Sequence, residues 1–224
     1  MSSASLKPLC LRNFDIQHDV MSKKLGLYLL FFFLLAIGFY ATLAVLIPGY
    51  TKKGVAPVSY VRPFRFLTQD STLFSEQDIQ GKVYVASYFF TTCKGICPRM
   101  NNYLRTVYDE LHTAPGFLIV SHTCDPETDS VSQLKRYADS LQVDTRKWIF
   151  LTGRKDSLYY AARISYTIDD PANNLTSIED DFLHTQFFAL VDKNGDVKKI
   201  YDGLKESEVK ELIADARKLL EEKN

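Results

Sequence analysis

The 224-residue chain has no surplus of either charge, with 27 basic side chains set against 27 acidic ones. Proteins that bind nucleic acid ordinarily carry a basic excess that neutralises phosphates, so that class is disfavoured. Low-complexity tracts and internal repeats are also missing. A hydrophobic content of 46% excludes an intrinsically disordered chain, which would lack the apolar surface to pack. A local absence says more. From Leu25 to Ile47, LGLYLLFFFLLAIGFYATLAVLI, there is no charged residue at all. As a helix this run spans roughly 34 Å, against roughly 30 Å of bilayer hydrocarbon. The small-residue cleavage pattern of a signal peptide is missing at its end, where Leu46-Ile47-Pro48-Gly49-Tyr50 stands. No Cys directly follows it, so a lipid-modified anchor is not supported. The sequence therefore predicts a short cytoplasmic tail over 1–24, an uncleaved transmembrane anchor over 25–47, a Pro, Gly and Lys-containing tether over 48–61 and one domain over 62–224. Positive charges near the two ends of the span balance. Lys23 and Lys24 abut its start, and a long domain translocates largely regardless of nearby charge, so the C-terminal domain is expected outside the cytoplasm.

What is present after the anchor is an alternation of buried strands and amphipathic helices. Val83 to Phe90 is a continuous apolar run of the kind buried on both faces of a sheet. Pro98 then opens a helix whose apolar face is Met100, Leu104, Val107, Tyr108 and Leu111. Phe117 to Ser121 is a second strand. The helix after it starts at the capping pattern Ser130-x-x-Gln133 and shows Val131, Leu134, Ala138 and Leu141 on one face. Trp148 to Thr152 is a third strand, with a shorter helix from about Asp156 to Ile164. Phe187 to Val191 and Val197 to Tyr201 flank Asn194-Gly195, a hairpin signal. The last helix buries Val209, Leu212, Ile213, Ala216, Leu219 and Leu220. Phe64 to Leu67 is expected to add an outlying strand pair with the segment near Ile79. Right-handed strand-helix-strand units closed by a hairpin and a helix describe an α/β, thioredoxin-like sandwich behind a single N-terminal transmembrane helix.

In such open sheets, reactive groups gather beyond the carboxyl ends of the strands. There the chain places Thr91-Thr92-Cys93-Lys94-Gly95-Ile96-Cys97-Pro98 after the first strand and Ser121-His122-Thr123-Cys124-Asp125-Pro126 after the second. Cys93 and Cys97 stand at the mouth of a helix, whose positive end favours a thiolate, and Lys94 adds a cation. A thiolate is both the nucleophile of disulfide exchange and a soft metal ligand, and two of them suit Cu(I). His184, just before the hairpin, is the candidate imidazole for a third ligand. A structural disulfide is the competing reading of the pair. The short loop, the following Pro and the position after a buried strand favour redox or metal work. His112 and His122 read as ordinary polar residues. Cys124 is either a small buried hydrophobe or a third thiol near the site, and Cys10 is expected on the far side of the membrane.

Taken together, Thr91-Thr92-Cys93-x-x-x-Cys97-Pro98, Asp125-Pro126-Glu127-x-Asp129, Phe150-Leu151-Thr152-Gly153 and His184-Thr185 leading to Leu190-Val191-Asp192-x-x-Gly195 resemble the SCO/SenC family, in that family's order, over roughly residues 64–222. The resemblance implies a thioredoxin-like copper protein, membrane-anchored, that helps assemble the binuclear copper centre in subunit II of cytochrome c oxidase. It implies Cys93, Cys97 and His184 as ligands of one copper ion, Cu(I) or Cu(II), a copper donor protein as a second partner and no nucleic acid. Lys94 departs from the Pro that the family commonly has after its first Cys, and Cys124 from an apolar residue. The N-terminal tail is not Arg-rich and contains Asp15 and Asp19, which favours a bacterial inner membrane, with a periplasmic domain, over a mitochondrial one. Whether the chain is an enzyme stays open. A metal-free thiol-disulfide oxidoreductase that keeps the oxidase cysteines reduced is one alternative, and a thiol peroxidase of the same fold is another.

Overall fold

The computed structural model describes residues 14–46, 56–169 and 182–222. Cys10 and most of the predicted tether lie outside them. Two units are distinct along the chain, residues 1–54 and 55–224. In the first, helix α1 (Phe14–Leu46) carries an apolar stretch, Lys23–Leu43, with mean hydropathy 2.1 and no burial. It is long and apolar enough to cross a membrane.

The second unit is a mixed eight-stranded sheet. Its strands are β1 (Ser59–Tyr60), β2 (Arg65–Thr68), β3 (Leu73–Ser75), β4 (Val83–Phe89), β5 (Phe117–Thr123), β6 (Trp148–Thr152), β7 (Phe187–Val191) and β8 (Asp196–Asp202), in the order β1-β8-β7-β4-β5-β6-β2-β3. Strands β4, β5 and β6 run parallel, whereas β7 pairs antiparallel with β4 and β8 antiparallel with β7. All seven residues of β4 and all seven of β5 are buried, as their unbroken apolar runs require of strands covered on both faces. One face receives α3 (Cys97–Leu111), α4 (Val131–Leu141) and α6 (Glu206–Glu221), which pack on Val83, Val85 and Phe89 from alternate positions of β4. The other face, presenting Tyr84, Ala86 and Tyr88, is covered by Phe66 and Phe74 and by α5 (Lys155–Tyr160).

The predicted face of α3 is buried at Met100, Leu104, Val107, Tyr108 and Leu111, and each full apolar burial is worth about 1.5–3 kcal/mol. In α4 only Leu134 and Ala138 are fully buried. The hairpin turn has Gly195 at φ 84°, a left-handed conformation that glycine adopts without a steric penalty.

Three local features differ from expectation. The outer partner of β2, whose inner edge pairs antiparallel with β6, is β3 and not the segment near Ile79, which sits on the single-turn helix α2 (Glu76–Ile79). The reason is a capping box: Ser75 and Asp78 satisfy each other's backbone N–H groups and turn the chain into a helix. The helix after β6 starts at Lys155 and widens at Ala161–Ser165 into a π-turn. Ser59 and Tyr60, read from sequence as tether, instead pair with Val197 and Asp196 on the sheet edge.

Candidate functional site: a dithiol at the carboxyl end of β4

Strand β4 ends at Phe89, and the next residues turn back sharply, the Cys93 N–H donating to the Phe90 carbonyl at 3.2 Å. Cys97 is the first residue of α3 and is buried, while Cys93 is half-buried in the loop ahead of it. The two thiols are close enough for each to shift the other's acidity. Partial burial opposes ionisation of Cys93. The Cys97 thiol and the backbone N–H groups of Gly95, Ile96 and Cys97 overcome that and hold Cys93 below the ordinary thiol range. Cys97 is the reverse case: burial, together with the neighbouring Cys93 thiol, pushes it up to about 12. The pair therefore holds one thiolate-prone sulfur at the surface and one protonated sulfur behind it. Lys94 is exposed.

The loop is held from the side by a carboxylate that the sequence showed only as the end of the Asp125-Pro126-Glu127-x-Asp129 motif, with no role given to it. Asp129 is fully buried and accepts from the Thr91 N–H at 3.1 Å, the Thr91 hydroxyl at 2.5 Å and the Thr123 hydroxyl at 2.6 Å. Gln133, expected only to complete a cap, also sends its amide to the Thr91 hydroxyl at 3.2 Å. Three of these polar contacts fix Thr91, two residues before Cys93, and the fourth ties Asp129 to Thr123.

His184 comes to the same end of the sheet because β7 runs antiparallel to β4, so β7 starts where β4 finishes. It is exposed, with its ring 6.1 Å from that of Phe90, which also meets Phe182 edge-on at 5.1 Å. The structure thus joins Cys93 to Cys97 and sets His184 at the rim, one aromatic ring from the loop. Among the described residues no three His, Cys, Asp or Glu side chains converge closely enough to hold a metal ion. The donor chemistry is still that of a soft-metal site, with two thiols and a nearby imidazole.

Cys124 is a buried thiol in the core under the opposite sheet face, and burial holds it well above the ordinary range. It packs as a small hydrophobe, and its sulfur also lies within electrostatic reach of Cys97 and Cys93. His122 is buried too, on strand β5 rather than in a loop. His112 stacks on Tyr108 at 4.7 Å, away from the thiols.

A dithiol that opens a helix beyond a central parallel strand, in this sheet order, defines a protein of the thioredoxin-like α/β class. Within that class, residues 53–221 match the SCO1/SenC family model, and the chain belongs to that family. It is 30% identical over 166 residues to the SCO1 protein homolog of Bacillus subtilis, covering 72% of this chain and 83% of that one. Among solved structures it resembles BsSco, described as a member of the Sco family of cytochrome c oxidase assembly proteins, at 28% identity and TM-score 0.64 over 77% of this chain and all of that one. Arabidopsis thaliana ScoI with copper bound matches at 25% identity and TM-score 0.57, covering 72% and 98% of the two chains.

Proposed function

We propose that this chain is a membrane-anchored copper-delivery protein for assembly of the binuclear copper centre in subunit II of cytochrome c oxidase. Cys93, Cys97 and His184 bind one copper ion as cargo, received from a donor protein. The anchor over 25–47 holds the domain over 62–224 on the outer side of a bacterial inner membrane. The observation that carries this reading is the dithiol itself, one sulfur poised as thiolate and in contact with a second, with an imidazole at the rim. Two thiolates suit Cu(I), and an imidazole added to them suits Cu(II). Ligand exchange then passes the ion to the cysteines of the acceptor. Because a disulfide between Cys93 and Cys97 has no thiolate to offer, copper loading is coupled to the redox state of the pair.

The unequal acidities also favour a second reading, the metal-free reductase. In that case the Cys93 thiolate attacks a partner disulfide, Cys97 displaces the mixed disulfide, and the partner leaves as a dithiol with two electrons gained. One experiment separates the two. The reduced full chain in detergent is loaded with copper and compared with Cys93→Ser and His184→Ala variants by stoichiometry and absorption. One copper per chain, with thiolate-to-Cu(II) charge-transfer bands lost in both variants, is expected. No retained copper, with the pair still cycling between dithiol and disulfide, would refute delivery and establish the reductase.

A further inference from the structure

Residues on either side of His184 are tied down while His184 itself is not. In the extended stretch before β7, Leu183 is 1% exposed and Thr185 8%, and His184 between them points outward, as alternation in an extended chain dictates. Each buried neighbour has its own anchor. The Thr185 hydroxyl donates to the Ile168 carbonyl at 2.6 Å. The Leu183 N–H donates to the Tyr159 hydroxyl at 3.1 Å. That same hydroxyl donates to the Cys124 carbonyl at 2.8 Å. The Cys124 N–H in turn donates to the Phe89 carbonyl at 2.7 Å, on the last residue of β4 before the thiol loop. One buried phenol on α5, distant in sequence from both segments, therefore spans the gap between the strand end that carries the thiols and the segment that carries the imidazole.

We propose that Tyr159 is a positioning residue that sets where His184 stands relative to Cys93 and Cys97, and thereby governs how well the site holds Cu(II) as against Cu(I). The proposal rests on the copper reading above. Two thiolates satisfy Cu(I) without help, so that ion is insensitive to where the imidazole stands; Cu(II) takes imidazole readily and depends on it. The phenol does not touch the metal site. It acts through backbone groups on both sides, and losing it frees the Leu183 N–H and the Cys124 carbonyl at once. The burial of both partners makes the tie selective, because neither group has water to turn to.

Tyr159→Phe removes only the hydroxyl and keeps the ring in the core. Tyr88→Phe is the control: its hydroxyl is equally buried and donates to the Leu158 carbonyl at 2.7 Å, but it reaches neither the Leu183 segment nor the Cys124 carbonyl. Both are measured on the full chain in detergent. In the metal-free protein, hydrogen exchange at the Leu183 amide should quicken at least about tenfold in Tyr159→Phe, the loss of one buried hydrogen bond. On copper loading, Cu(I) affinity should stay within about threefold of wild type while Cu(II) affinity falls about tenfold, the same increment of free energy, and the nitrogen coupling in the Cu(II) paramagnetic resonance spectrum broadens or disappears. Tyr88→Phe should leave the spectrum unchanged. Unaltered Leu183 exchange would overturn the tie. Faster exchange with an unaltered Cu(II) spectrum and affinity would overturn the positioning role, as would equal effects from Tyr88→Phe. A wild-type chain that takes up no copper would overturn the reading beneath the proposal, and that failure is told apart from failure of the tie because exchange is read without metal.

Discussion

His122 makes stability depend on pH in a way that can be calculated in advance. It lies on β5 with no exposed surface, stacked on Tyr88 at 4.8 Å and ringed by Phe66 at 5.7 Å and Tyr166 at 5.3 Å. Nδ1 lies 3.4 Å from the Ser87 carbonyl, which assigns the proton to that nitrogen, and Nε2 has no partner among the described residues. Burial in this aromatic box pushes its pKa down to about 3, against the backbone of Ser87 and Val120, which act to raise it. An unfolded histidine titrates near 6.5. Below that value the unfolded chain takes up a proton that the native chain refuses. The stability contributed by the neutral ring is thus complete above about pH 6.5 and is lost as pH falls towards about 3. At pH 5 about 97% of unfolded chains and about 1% of native ones carry the proton, a cost of about 2 kcal/mol, against about 0.2 kcal/mol at pH 7. The perturbation is His122→Phe, which keeps an aromatic ring against Tyr88. Urea unfolding of both proteins is followed at pH 7 and pH 5. Whatever the phenyl ring does to packing is common to both pH values and cancels in the double difference. The variant should gain about 2 kcal/mol relative to wild type on going from pH 7 to pH 5. A double difference within about 0.5 kcal/mol of zero would refute the buried, neutral assignment.

Two further outcomes follow from the dithiol and its support. Cys93 sits below the ordinary thiol range and Cys97 near 12, so iodoacetamide at pH 7 should modify Cys93 at least about tenfold faster than Cys97 in the reduced protein, read by peptide mass; equal rates would contradict the asymmetry. Asp129→Ala strips three hydrogen bonds from Thr91 and Thr123 in a buried setting. It should cost about 2–4 kcal/mol in urea unfolding, and a loss below about 1 kcal/mol would show that the loop does not depend on this carboxylate.

The elements that position the site were legible because each is written in contiguous residues. The unbroken apolar run of β4, the helical spacing after Pro98 and the Asn194-Gly195 turn are local signals, and every one corresponds to an element of the fold. The one misplaced pairing, Ile79 for β3, is an error of the same scale: a four-residue capping box outweighed a weak strand pattern. The thiols were legible for a similar reason, since five consecutive residues hold both of them at a helix mouth.

What supports the thiols was not legible, and the separations show why. Asp129 is 38 residues from Thr91, Tyr159 is 35 from Cys124 and 24 from Leu183, and His122 is 35 from Ser87. Nothing in a periodicity or a cap connects such positions; only the parallel stacking of β4 on β5 and the antiparallel return of β7 do so. Asp125 and Asp129 look alike in sequence as acids after the second strand. Register decides between them: Thr123 ends β5 opposite Phe89 and sends its hydroxyl to Asp129, so Asp129 is drawn under the thiol loop, while Asp125 accepts only locally, from the Thr128 N–H at 3.4 Å. The same register puts the Cys124 backbone within reach of both Phe89 and Tyr159 while its side chain is buried in the core. Cys124 therefore serves the site through its peptide groups, a role that any residue except Pro could fill on the N–H side.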